Sequence, residues 1–127
     1  MPESIVIAAA RRTPIGGFQG IFSPVSATQL GSVAAAAALA DSGLAPDAID
    51  EVIFGCVLPA GLGQAPARQA AVGAGIAMSV PATTVNKMCG SGMKAVMLAA
   101  DQIRAGSARA ILAGGLESMT NAPYLML

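Results

Sequence analysis

Apolar residues fall into short runs separated by glycine, proline and small polar residues, and longer periodic segments lie between them. Residues 4–10 (SIVIAAA), 52–55 (VIFG), 83–86 (TTVN) and 108–114 (ARAILAG) are short and do not alternate, or are rich in β-branched side chains. Such runs predict strands buried on both faces. Three helices are predicted between them. The first opens at Ser26-Ala27-Thr28-Gln29, a capping box with Ser at the cap and Gln three residues on, and runs to about Asp41. Leu30, Val33, Ala34 and Ala37 are its expected apolar face. Gly43 stops it, and Pro46 cannot continue it. The second opens with Pro66, a residue suited to the first helical position, and runs to about Gly75. The third begins at Cys89 or Gly90 and ends at Gly106, with Met93, Val96, Met97, Ala100 and Ile103 as its expected apolar face. Glycine and proline mark residues 11–24 and 58–64 as loops.

The predicted order is β-α-β-α-β-α-β. Strands that alternate with helices imply an α/β fold with a mostly parallel sheet and helices on its faces. The length of 127 residues suits one domain. No repeat, charge block or low-complexity tract interrupts it.

Charge narrows the partners. Seven basic residues cancel seven acidic ones, and there is no Trp and one Tyr. No basic stripe is available for phosphates and few rings for base stacking, so nucleic acid is not an expected partner. The longest apolar run, residues 33–40, is far short of the roughly 20 residues a membrane span needs, so no membrane partner is expected either. The first residues show no signal-peptide pattern. Two cysteines, Cys56 and Cys89, make no disulfide framework, and a cytoplasmic location is expected. Charged residues make up 11% of the chain, less than half of the roughly 25% usual for soluble domains. Apolar surface is therefore expected to await a partner.

The candidate chemistry lies in residues 84–95, TVNKMCGSGMKA, where a predicted strand turns sharply into a helix at Cys89. In such folds ligands sit beyond the carboxyl ends of the strands. The first turn of a helix presents unpaired N–H groups and a partial positive charge, which favour a thiolate. Lys87 and Lys94 would add to this if they face the sulfur. Gly90 and Gly92 leave room for an acyl group, and the N–H groups can stabilise an oxyanion. On position alone, an acyl-accepting nucleophile and a small buried apolar residue both remain open. A metal site is not expected, because one cysteine with no histidine offers too few ligands.

The chain resembles the thiolases, which include acetyl-CoA acetyltransferases and 3-ketoacyl-CoA thiolases. The resemblance rests on residues 85–95 (VNKMCGSGMKA), accompanied by 10–16 (ARRTPIG), 61–70 (GLGQAPARQA) and 114–124 (GGLESMTNAPY), in the family order. It implies the first of two similar α/β halves, each with a five-stranded mixed sheet. Residues 1–127 would be a partial amino-terminal domain, without the family's loop domain and carboxy-terminal half. By resemblance Cys89 is the catalytic nucleophile. It takes an acyl group from an acyl-CoA and passes it to a second acetyl-CoA (Claisen condensation) or to free CoA (thiolysis). Its backbone N–H would be one oxyanion donor. CoA thioesters are then substrates and no separate cofactor is expected. The resemblance also implies a homo-oligomer, a dimer or tetramer. The segment Asn86-Lys87-Met88-Cys89-Gly90-Ser91-Gly92 suits thiolases better than the related ketoacyl synthases.

The sequence departs from the family in having no histidine. The family's activating base and its second cysteine belong to the other half, so the isolated chain is expected to be inactive; the alternative is a non-catalytic fragment that acts only by association. Cys56 is expected to be a buried small residue. Glu117 is expected to bond loop backbone groups near the site, Asn86 to bond neighbouring backbone or a second subunit, and Lys87 to be a solvated charge. The methionines read as packing, and Arg68 has no assignable chemistry.

Overall fold

The computed structural model describes residues 4–127. Three parallel strands, β1 (Glu51–Gly55), β2 (Ala82–Val85) and β3 (Ile111–Gly115), lie in the order β2-β1-β3. Phe54 pairs with Thr84 on one side and Gly114 on the other, so the strands reach their carboxyl ends together. Three α-helices cross over between and before them: α1 (Ala27–Ser42), α2 (Pro66–Gly73) and α3 (Ser91–Arg104). A single 3₁₀ turn, Pro46–Ala48, precedes β1.

The alternation of side chains along β1 sorts the helices into layers. Val52, Phe54 and Cys56 point to one face, where they join buried residues of α1 and α2. Ile53 points to the other, against Ala95 and Ala99 of α3. The central strand is therefore buried on both faces, as its unbroken apolar run predicts.

Local signals set the helix ends. The Ser26 hydroxyl accepts from the Gln29 N–H at 3.2 Å, and the Gln29 side-chain carbonyl accepts from the Ser26 N–H at 2.8 Å. That is the predicted capping box. Gly43 ends α1 in the left-handed conformation, at φ 71°. Pro66 is the first residue of α2, and the Thr84 hydroxyl accepts from the Ala67 N–H at 3.1 Å, satisfying an amide that no cap residue reaches.

Three expectations change. Residues 4–10 form no strand and lie outside the sheet, with Val6 and Ile7 exposed. An apolar run marks a segment able to be buried but does not provide it with a neighbour, and among the described residues the sheet stops at β3. The buried face of α1 is Ala27, Gly31, Ala35 and Leu39, while Val33 and Ala37 are exposed. Gly31 explains this: a Cβ there would stand 2.7 Å from Leu116 Cδ2 and 3.3 Å from Ala70 Cβ, so the helix approaches its neighbours too closely for large side chains. The same holds for α3. It buries Ser91, Ala95 and Ala99, and Met93, Val96 and Met97 of the expected apolar face are exposed, Met93 at 74%. No helix among the described residues is long and apolar enough to cross a membrane.

Candidate active site

The parallel arrangement brings three chain segments to one end of the sheet: residues 56–58 after β1, 86–90 after β2 and 116–117 after β3. Cys89 stands in the second of these, immediately before the Gly90 cap of α3, and is exposed. Cys89 thus precedes the helix by two residues instead of opening it. The turn is tight. Gly90 N–H donates to the Lys87 carbonyl at 3.0 Å and Ser91 N–H to the Met88 carbonyl at 3.1 Å. Met88 takes a positive φ of 47°, a conformation that side chains disfavour.

Neighbouring side chains hold that conformation. Asn86 Oδ1 accepts from the Met88 N–H at 3.0 Å, and Asn86 Nδ2 donates to the Val57 carbonyl at 3.4 Å. Ser91 Oγ donates to the Met88 carbonyl at 2.6 Å and accepts from the Lys87 N–H at 2.8 Å. None of these bonds uses the Cys89 sulfur, which is free and exposed. Lys87 is exposed, and neither Lys87 nor Lys94 forms an ion pair with a described residue.

Glu117 ties the end of β3 to the end of β1. Its carboxylate accepts from Val57 N–H at 2.8 Å and Leu58 N–H at 2.9 Å. The Cys56 thiol donates weakly to it at 3.7 Å. Cys56 is 2% exposed, and burial foremost, with the adjacent Glu117 carboxylate, pushes its thiol up to about 11. Glu117, Asn86 and Cys56 therefore fill the structural roles expected of them. Neither Ser91 nor Arg68 carries a role legible in the sequence. The Arg68 guanidinium bonds the carbonyls of Met78 and Val80, closing the connection from α2 to β2. No signal in the sequence connects those positions, since the bonds depend on how the connection folds back.

The chain matches the family described as thiolase, N-terminal domain, over residues 5–127. It is a member of the thiolase family. It is 56% identical over 124 residues to the mitochondrial acetyl-CoA acetyltransferase B of Xenopus laevis, covering 98% of this chain and 30% of the relative. Against acetyl-CoA acetyltransferase 2 of Arabidopsis thaliana the identity is 57% over 122 residues, covering 96% of this chain and 30% of the relative. The acetyl-CoA acetyltransferase of Cupriavidus necator is 52% identical over 122 residues, covering 96% of this chain and 31% of the relative. The chain thus spans under a third of the length of these curated relatives.

In this thiolase chain the blocks that carry the resemblance are gathered at the same end of the fold. Residues 61–70 lead from β1 into α2, 85–95 from β2 into α3, and 114–124 out of β3. Residues 10–16 pass close to the third: Arg11, Arg12 and Thr13 line a hollow of about 150 Å³ with Gly115, Leu116 and Glu117. Cys89 lines neither this hollow nor the shallow groove beside Met93 and Met97 on α3. Its sulfur faces open surface.

Proposed function

We propose that Cys89 is the acyl-accepting nucleophile of a thiolase-type acyltransferase. The observation that carries this reading is an exposed thiol, held by a strained turn at the converging strand ends of a chain that belongs to the thiolase family. The sulfur attacks the thioester carbonyl of an acyl-CoA. The oxyanion is met by the Cys89 backbone N–H. The C–S bond to CoA then breaks, CoA leaves as a thiol after taking up a proton, and the acyl group stays on Cys89 as a thioester. In the second half-reaction the α-carbon of acetyl-CoA, after losing a proton, attacks that thioester carbonyl, the C–S bond to Cys89 breaks, and a 3-ketoacyl-CoA leaves as the Cys89 thiol is restored. Run in reverse, Cys89 attacks the 3-keto carbonyl and acetyl-CoA leaves, and free CoA then takes the acyl group off the sulfur. Splitting the transfer in two lowers each barrier.

The sequence contains no histidine, so the base that takes the Cys89 proton comes from outside these 127 residues. The substrate walls do too, because the sulfur lies on open surface. Residues 1–127 are in this reading a partial amino-terminal thiolase domain, assembled in a homo-oligomer and serving acyl-CoA metabolism. A reducing compartment such as the cytoplasm suits its two free thiols.

Iodoacetamide labelling at about pH 6, mapped by peptide mass, tests the nucleophile. Cys89 should label well ahead of Cys56. Equal and slow labelling of both would remove the basis for the proposal. A second reading, a non-catalytic chain that only associates with others, is favoured by the missing histidine and the exposed apolar face of α3. Incubation with acetyl-CoA tests both readings. Turnover by the 127 residues alone would refute the association reading and the account of an external base together.

A further inference from the structure

We propose that Ser91 is a positioning residue for Cys89, fixing through its hydroxyl where the sulfur stands. The proposal rests on reading Cys89 as the nucleophile. Cys89 lies between Met88 and Gly90, and both neighbours are held by bonds that run back over the turn. Met88 at φ 47° is the strained member, and such a conformation persists only where its surroundings over-determine it. One atom does most of this. Ser91 Oγ bonds the carbonyl that leaves Met88 and the amide that enters Lys87, so it closes the loop around the residue before the nucleophile.

Two further features make the hydroxyl a fixed point. Ser91 is 5% exposed, the buried polar residue among the described residues, so water does not compete for those bonds. It is also wedged over the sheet: a Cβ added at Gly55 would meet the Ser91 Cβ at 2.6 Å and its carbonyl carbon at 2.5 Å. The first residue of α3 is thereby registered against β1, and the turn is registered against Ser91. Asn86 supports Met88 from the other side, but it is exposed and its bonds are open to water.

Ser91→Ala retains the Cβ that packs over Gly55 and removes only the oxygen. Ala99→Gly, buried in the same helix–sheet contact but remote from the turn, controls for lost stability. Alkylation rates of Cys89 and Cys56 are measured in the folded 127-residue chain at about pH 6 and about pH 10. Alkylation needs the thiolate, which is scarce for an ordinary thiol at the lower pH and abundant at the higher. Ser91→Ala should slow Cys89 labelling about 5- to 10-fold at the lower pH and less than about twofold at the higher, with Ala99→Gly resembling the unmodified chain. An unchanged Cys89 rate in Ser91→Ala, an equal fall in Ala99→Gly, or faster labelling of both cysteines at both pH values would overturn the proposal. Labelling of Cys89 no faster than Cys56 in the unmodified chain would instead strike the nucleophile reading, and this proposal with it.

Discussion

Gly55, the last residue of β1, lies directly beneath Ser91, the first residue of α3, with no room between them for a methyl group. A Cβ at position 55 would stand 2.5–2.7 Å from the Ser91 carbonyl carbon, the Ser91 Cβ and the Gly92 nitrogen. Two of those atoms are backbone and cannot swing aside. Gly55→Ala should therefore lift the start of α3 off the sheet, costing about 3 kcal/mol as an overpacked contact. Urea unfolding checks the cost, and wild-type stability would show that the helix start adjusts freely.

Glu117 neutralises the backbone of a loop that β1 leaves without partners. Glu117→Ala strands the Val57 and Leu58 amides, which should cost about 2–3 kcal/mol. Thermal unfolding gives the magnitude. A loss below about 0.5 kcal/mol would mean that water replaces the carboxylate without penalty.

Cys56 gives the fold an alkaline limit. Its folded thiol is raised from the ordinary 9.0 to about 11, so the unfolded chain ionises first. Stability attached to the neutral thiol is complete below about 9 and is lost as pH climbs towards about 11. Cys56→Ala should lower stability at neutral pH but flatten its fall across that window. Parallel alkaline curves for the two proteins would contradict the assignment.

Asp50 acts in the opposite direction. Its carboxylate accepts from Arg109 N–H at 2.7 Å and Ala110 N–H at 3.1 Å, and these bonds hold its carboxyl below the usual range. The folded state therefore resists protonation more than the unfolded state. The contribution is present above the unfolded value and disappears as pH falls through the folded one. Melting temperatures from about pH 6 to about pH 2.5 should drop less steeply for Asp50→Asn than for the unmodified chain. Identical slopes would rule Asp50 out.

The outer face of α3 should be nearly silent in stability. Met93 and Met97 are exposed, so Met93→Ser with Met97→Ser should change unfolding by no more than about 0.5 kcal/mol per site. Binding of a hydrophobic dye should fall in the same variant, because an exposed apolar stripe is removed. A large loss of stability would show that these side chains are packed.

Much of this was legible in the chain. The capping box at Ser26, the stop at Gly43, the helix start at Pro66, and the β1, β2 and β3 runs are local signals, and the structure follows them within a few residues. The turn that presents Cys89 was legible as well, since a strand run, a glycine-flanked cysteine and a helical period follow one another directly. Helix orientation was not. Large apolar residues were expected inside, yet Gly55, Gly92 and Gly115 let α3 approach the sheet so closely that Ala95 and Ala99 fit there and Met93 does not. Pairings across 60 residues, such as Glu117 with Val57, carry no local signal at all. Residues 4–10 show the converse: a strong local signal for burial in a segment that finds no strand to join.

Because the three strands run the same way, the two rims of the sheet differ in what they tolerate. One rim carries Cys89 and the bonds that locate it; the other is formed by the chain entering each strand, at residues 49–50, 80–81 and 108–110. Added or deleted residues in the approaches to that far rim, such as the exposed stretch 43–47, would be absorbed at a distance from the sulfur. A single insertion between Asn86 and Ser91 would have no slack to absorb it. Length variation in related chains should accordingly be lopsided, confined to one rim and absent from the other.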